Sequence, residues 1–76
     1  MDKKLKRYRI MVYGNDIAET LRVIDTYILL GNSLIVSMKK NKEGQEQWTI
    51  RFNSTEEQGT LIYNELKFKN IIKQAA

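Results

Sequence analysis

The clearest pattern in the chain is an alternation of apolar and polar positions over residues 47–53. Trp48, Ile50 and Phe52 occupy every second position of this stretch, with polar residues between them. Successive side chains of a strand point to opposite faces, so the three apolar residues share one face and Thr49 and Arg51 lie on the other. This alternation predicts a strand with one buried face.

Two other stretches, residues 5–13 and 33–40, alternate in the same way and are also predicted to be strands. The polar segment 41–45 contains a glycine, so we expect a hairpin between the second and third strands. The side chains expected to point into the core from the three strands are Tyr8, Ile10, Val12, Leu34, Val36, Met38, Trp48, Ile50 and Phe52.

A helical period follows the first strand. Ile17, Leu21, Ile24 and Ile28 stay within about 40° of one another on a helix with 3.6 residues per turn, which is typical of a core-facing stripe. We expect the helix to be capped by Asn15 or Asp16 and to end at Gly31 and Asn32. An alternative stays open, in which residues 27–36 form a hairpin with Gly31 and Asn32 at its turn.

The end of the chain also has helical character. Ser54 is expected to cap this helix and Glu57 to complete a capping box. Gly59 costs about 1 kcal/mol relative to alanine in a helix, so the first turn is expected to fray or the helix to start late. The apolar side of this helix is expected to comprise Leu61, Ile62, Leu66, Phe68, Ile71, Ile72 and Ala75.

The element order β-α-β-β-α predicts a single small α+β domain over residues 1–76, with a flexible basic arm at residues 1–6. We expect a three-stranded mixed sheet of order 1-3-2 with both helices on one face, an abbreviated ferredoxin-like arrangement. The outline is similar to the RNA-recognition fold. However, the glycine-flanked aromatic run of that family's third strand is missing and Tyr13 is the one aromatic available, so no family membership is inferred.

Composition narrows the chemistry. The 76 residues include no Cys and no His, which excludes disulfides and thiolate or imidazole metal sites and leaves no Ser-His or Cys-His pair. The carboxylates Asp16, Glu19, Glu56 and Glu57 all lie at predicted helix starts, where capping accounts for them. We therefore expect a protein that is not an enzyme and has no cofactor or metal. No apolar run matches a membrane span or signal peptide, so a cytoplasmic location is expected.

The net charge of +4 is carried entirely by the first nine residues, which contain five basic side chains and one acidic one. With both helices on one side of the sheet, its other face would be open and basic. This layout predicts a non-enzymatic module that contacts nucleic acid through the arm and the open face, although such an arm can also simply aid solubility and protect an edge strand. The expected contacts are Lys4, Lys6, Arg7, Arg9, Tyr13, Lys39, Thr49 and Arg51. Arg51 lies on the predicted central strand, and Arg9 and Lys39 are expected to flank it there.

The alternative is a small protein-interaction regulator or inhibitor, of the kind found in phages and mobile elements, that acts as a homodimer or on a host protein. A second helical stripe of Val23, Tyr27 and Leu30 and the open edge of the first strand are its predicted docking sites. The same stripe also suits packing against the closing helix, which is the interpretation that the sequence favours.

Overall fold

The computed structural model describes residues 4–28 and 34–72. Within these ranges the predicted order of strands and helices is confirmed. The elements are strand β1 (Lys6–Tyr13), a 3-10 turn (Gly14–Asp16), helix α1 (Ile17–Tyr27), strands β2 (Leu34–Lys40) and β3 (Glu46–Ser54), and helix α2 (Glu56–Phe68).

The three strands form one sheet in the order β1-β3-β2, as predicted. Both pairings are antiparallel, with Tyr8 on β1 and Leu34 on β2 each opposite Phe52 on β3. The prediction of a mixed sheet is therefore wrong. β1 and β2 run in the same direction, but β3 lies between them and they never pair.

Both helices pack on the same face of the sheet, as the alternation predicts. Sheet, α1 and α2 all contribute to one buried cluster. Its members are Ile10, Val12, Val23, Ile24, Ile28, Ile50, Phe52, Ile62 and Leu66.

Strand β2 departs from the predicted core. Leu34, Val36 and Met38 lie on the helix side of the sheet, opposite Phe52, Ile50 and Trp48, but they keep 40%, 37% and 44% of their surface exposed. The prediction that they are buried is wrong, because the helices cover β1 and β3 and stop short of β2. Trp48 is only partly buried at the border of the core.

Helix α1 begins and ends differently from expectation. No side-chain hydrogen bond caps its start; instead the Thr20 hydroxyl donates to the Asp16 carbonyl oxygen at 2.7 Å. The helix ends at Tyr27, and Ile28 already has extended backbone angles. Tyr27 is thus helical, as the helix interpretation requires, but the helix ends before the expected Gly31 and Asn32, which lie outside the described residues.

Helix α2 is capped one residue later than predicted. Thr55, not Ser54, accepts a hydrogen bond from the Gln58 amide at 3.2 Å, and the buried Ser54 hydroxyl donates to the Thr55 carbonyl oxygen. The helix begins before Gly59, so the predicted late start is wrong. A Cβ on Gly59 would clash with the end of the Tyr8 ring, so glycine lets the helix approach β1 while Tyr8 keeps this position.

The end of α2 is a Schellman motif built on Asn70, whose φ of 61° is left-handed. The Ile71 amide donates to the Leu66 carbonyl oxygen at 2.9 Å, and the Asn70 amide donates to that of Lys67. This turn packs Ile71 and Ile72 against the core, although they are no longer helical. Phe68 is 86% exposed and Leu61 45% exposed, so neither belongs to the apolar face as predicted, and Ala75 lies outside the described residues.

Candidate binding surface

The side of the sheet opposite the helices presents a continuous surface, called here the open face. It is formed by the side chains that alternate with the buried ones on β1 and β3, and by those facing the same way on β2. Its members are Arg7, Arg9, Met11, Tyr13, Ile35, Ser37, Lys39, Gln47, Thr49, Arg51 and Asn53.

Two arginines face each other at the middle of the open face. Arg9 on β1 pairs directly with Arg51 on β3, and both side chains are exposed. Hydrogen-bonded and non-hydrogen-bonded pairs alternate along antiparallel strands. In the hairpin, the Asn41 amide donates to the Gln45 carbonyl oxygen at 3.0 Å, so Asn41 and Gln45 form a hydrogen-bonded pair. From this pair, the alternation tells which residues of β3 direct their backbone groups toward β2 and which toward β1.

Followed across the sheet, this alternation makes Arg9 and Arg51 a non-hydrogen-bonded pair. The Cα atoms of such a pair lie about 4.5 Å apart, closer than those of a hydrogen-bonded pair. Like charges placed directly opposite one another destabilise a sheet. The fold thus places two arginines directly opposite one another, an arrangement that their like charges disfavour.

No carboxylate lies on the open face among the described residues. Its four cations, Arg7, Arg9, Lys39 and Arg51, have no ion pair within the described ranges. Ion pairs do occur elsewhere, between Lys6 and Glu56 at 3.1 Å and between Lys69 and Glu19 at 3.2 Å. The positive charge of the open face is therefore not neutralised by its own surroundings.

Shallow depressions lie along this charged row. One, of about 390 Å³, is lined by Arg7, Ile35, Arg51, Phe52 and Asn53. A second, of about 300 Å³, lies nearer the hairpin between Arg51 and Lys39 and includes Thr49 in its lining. The exposed cations surround open, partly apolar depressions rather than an enclosed cavity.

The predicted contacts on the sheet are brought to this one surface but not all side by side. Arg51 was expected to lie between Arg9 and Lys39. Arg9 is its partner on β1, as expected, but its partner on β2 is Ile35 and not Lys39. Tyr13 and Lys39 lie four residues further along their strands, on either side of Gln47. Tyr13 is 52% exposed, so its ring is accessible.

Lys6, the last residue of the predicted arm, belongs to the sheet. Lys6 is the first residue of β1 and pairs with Ser54, and its amine contacts the Glu56 carboxylate in the first turn of α2. Lys6 is therefore fixed at the edge between sheet and helix and is not part of the open face. Lys4 is exposed and precedes the strand, whereas residues 1–3 lie outside the described residues.

The predicted helical stripe faces α2. Val23 is 1% exposed, and the Tyr27 hydroxyl donates to the Glu65 carboxylate at 2.6 Å, which raises the pKa of Tyr27 above its ordinary value of 10.0. These two residues join the helices, so they do not form a free docking surface. Leu30 lies outside the described residues.

The β1 edge is also partly occupied. The backbone alternation turns the Arg9 carbonyl oxygen away from β3, and the Tyr63 hydroxyl of α2 donates to it at 2.9 Å. Tyr63 also contacts the Tyr8 ring, at 5.8 Å between centroids. Helix α2 thus covers part of the strand edge that was expected to be open.

The described residues contain no cluster of three or more acidic side chains that could hold a metal ion. No helix in the described ranges is long and apolar enough to cross a membrane.

No protein-family model matches the chain, and comparison with curated proteins and with solved structures gave no match.

The alternation predicts that the arginines share one face and that Arg9 flanks Arg51, but it does not establish that the two are direct partners. A period of two assigns faces, not register. The 41–45 hairpin sets the register of β2 against β3, and this signal was available in the sequence. The register of β1 against β3 depends on how α1 connects them and has no comparable local signal.

Proposed function

We propose that this chain is a non-enzymatic module that binds single-stranded nucleic acid on the open face. The observation that carries the proposal is the pairing of Arg9 with Arg51 at the centre of a sheet surface that has no carboxylate in the described residues. A phosphate lying over the pair would replace repulsion between the two guanidinium groups by attraction to each of them.

The rest of the open face suits the other parts of a nucleotide chain. Arg7 and Lys39 extend the positive charge toward opposite ends of the sheet. Thr49 and Gln47 offer hydrogen-bonding groups between them, and the exposed ring of Tyr13 offers a surface on which a base can stack. A shallow face with charge, hydrogen-bonding groups and an aromatic ring favours a single strand, because its bases are accessible.

The test is fluorescence anisotropy with short labelled single-stranded DNA and RNA oligonucleotides at several salt concentrations. Four phosphate contacts predict that log K falls with log salt with a slope of about −3. Arg51→Glu is expected to weaken binding about tenfold or more and to make the slope shallower, because it removes a contact and adds a repulsive charge.

Arg22→Glu is the matched control. Arg22 is exposed on α1, on the other side of the sheet, and the substitution changes the net charge by the same amount. It is expected to weaken binding far less than Arg51→Glu. Equal losses in the two variants, or no binding by the wild type at low salt, would reject the open face as the site.

A second candidate function is supported by a different observation. Four apolar side chains of β2, namely Leu34, Ile35, Val36 and Met38, are between 37% and 57% exposed. Exposed apolar residues clustered on an edge strand favour contact with protein. This is the property that the small protein-interaction regulator, acting on itself or on a host protein, would need.

A further inference from the structure

The two edges of the sheet are not equivalent. On β1, Ile10 and Val12 lie under the helices and are only 2% and 6% exposed. The Tyr63 hydroxyl donates a hydrogen bond to the Arg9 carbonyl oxygen on the same strand. On β2 every residue is exposed, including those on the helix side. Among the described residues, helix α2 therefore covers part of the β1 edge, and nothing covers the β2 edge.

Except at its last two residues, Lys39 and Lys40, the β2 edge also lacks the features that usually prevent strands from pairing. Residues 34–38 carry no charge, the chain has no proline, and β2 pairs with β3 without a bulge from Leu34 to Lys40. Because the Asn41 amide faces β3, alternation turns the backbone amides and carbonyls of Leu34, Val36, Met38 and Lys40 toward the open edge. This row of backbone groups can be satisfied by another strand.

From these features we infer that β2 pairs with β2 of a second copy of this chain, giving a six-stranded antiparallel sheet with all four helices on one face. A two-fold axis perpendicular to the sheet is the symmetry that joins two such edges antiparallel while keeping equivalent faces together. With Ser37 on the axis, all seven residues of β2 are paired and all the outward backbone groups find partners.

The self-complementary sequence of the β2 edge points to a second copy as the occupant. The chain is basic, so two copies repel unless their positive charges are kept apart at the contact. With Ser37 on the axis, Lys39 lies opposite Ile35 of the second copy and Lys40 lies opposite its Leu34, so no lysine faces another lysine. Val36 meets Met38 on the helix side, which covers the apolar residues that the single chain leaves exposed.

The dimer also extends the proposed binding surface. In one chain Arg9, Arg51 and Ile35 form a row across the open face. Across the two-fold axis this row continues into Lys39, Gln47 and Tyr13 of the second copy. The second copy thus supplies the lysine and the aromatic ring that one chain lacks beside Arg51. The consequence for nucleic acid depends on the proposed function, whereas dimerisation itself is measured without nucleic acid.

The absence of cysteine from the sequence allows a clean test by cross-linking. Residue 37 and its copy form a non-hydrogen-bonded pair about 4.5 Å apart, within the range of a disulfide. Ser37→Cys is therefore expected to form covalent dimers rapidly on mild oxidation. Met11→Cys is the matched control, because Met11 is 53% exposed on the same face but on β1.

Sedimentation equilibrium provides the second measurement. The wild-type protein is expected to have twice the 9.0 kDa mass of the chain, and Val36→Lys is expected to weaken dimerisation about tenfold or more by placing charge in the contact. Leu61→Lys, at a 45% exposed site on α2, controls for the substitution itself and is expected to leave the mass unchanged.

A wild-type monomer at about 100 μM would overturn the inference, since even a weak strand-edge dimer is populated at that concentration. Faster cross-linking of Met11→Cys than of Ser37→Cys would also overturn it and would indicate the β1 edge instead. Either result would leave the nucleic-acid proposal standing, because the anisotropy experiment does not require a dimer.

Discussion

At the scale of the residue, Arg51 is an exposed charge on the central strand that lies opposite a second positive charge. Its position on the central strand gives it a rigid, exposed platform, and its partner across the strand pair is a second arginine. The fold does not need this charge, since Arg51 contacts no carboxylate within the described residues. The residue therefore costs the folded protein stability that a bound anion would restore.

Replacing Arg51 with Gln is expected to raise the free energy of unfolding by a few tenths of a kcal/mol at low salt, because it removes the repulsion with Arg9 without creating a cavity. The gain is expected to shrink as salt screens the charges. Urea unfolding of both proteins at equal concentration measures it.

Arg22→Gln is the control for this prediction, since Arg22 lies on α1 and has no charged partner among the described residues. A loss of stability in Arg51→Gln, with Arg22→Gln unchanged, would mean that Arg51 makes a favourable contact and would remove the main support for a bound phosphate.

At the scale of the element, α2 is fastened to its neighbours by two tyrosines. Tyr63 donates to the Arg9 carbonyl oxygen on β1, and Tyr27 of α1 donates to Glu65. Burial raises the pKa of Tyr63 above its ordinary value of 10.0, and the hydrogen bond to Glu65 raises that of Tyr27. Both hydroxyl groups therefore keep their protons in the folded state longer than in the unfolded one.

This difference predicts alkaline destabilisation. A group whose pKa is raised by folding contributes stability that is complete below its unfolded pKa, here near pH 10, and is lost as the pH rises through the folded value. In urea unfolding between about pH 9 and 11, Tyr63→Phe is expected to show a shallower loss of stability than the wild type. Tyr13→Phe, on the open face, is the matched control, and equal slopes for wild type and Tyr63→Phe would contradict the prediction.

The boundaries of the elements show what local sequence patterns can determine. The alternation at residues 47–53 was sufficient to predict β3, its inward face and its central place in the sheet. The pattern gave no information on how far the helices extend over β2, because that depends on helix placement rather than on strand period. Leu34 and Val36 were therefore assigned to a core that does not reach them.

Helix ends were harder to predict, because several residues competed for the same role. Ser54 and Thr55 are both suitable caps by residue type. In the structure Ser54 is buried at the end of β3, and Thr55 caps the helix. Asn70 ends α2 without glycine or proline, so the apolar residues that follow it resembled a continuing helix. The candidate site was predicted by residue type and face, but the Arg9–Arg51 register required the structure.

At the scale of the whole molecule, the sheet separates two different surfaces. One side carries both helices and the buried cluster that stabilises the fold, and the other carries four cations and no carboxylate within the described ranges. The β2 edge belongs to neither side. Pairing through it would cover exposed apolar residues and double the length of the charged surface.

The most direct test of the open face is a nuclear magnetic resonance titration of the isotopically labelled wild-type protein with an unlabelled single-stranded oligonucleotide at low salt. Binding there predicts backbone amide shift changes concentrated at Arg9, Thr49, Arg51 and Lys39, weakening as salt is added. Residues on the far sides of the helices, such as Asp25 and Asn64, are expected to change little. Changes concentrated on the helices, or no change at all at low salt, would contradict the account.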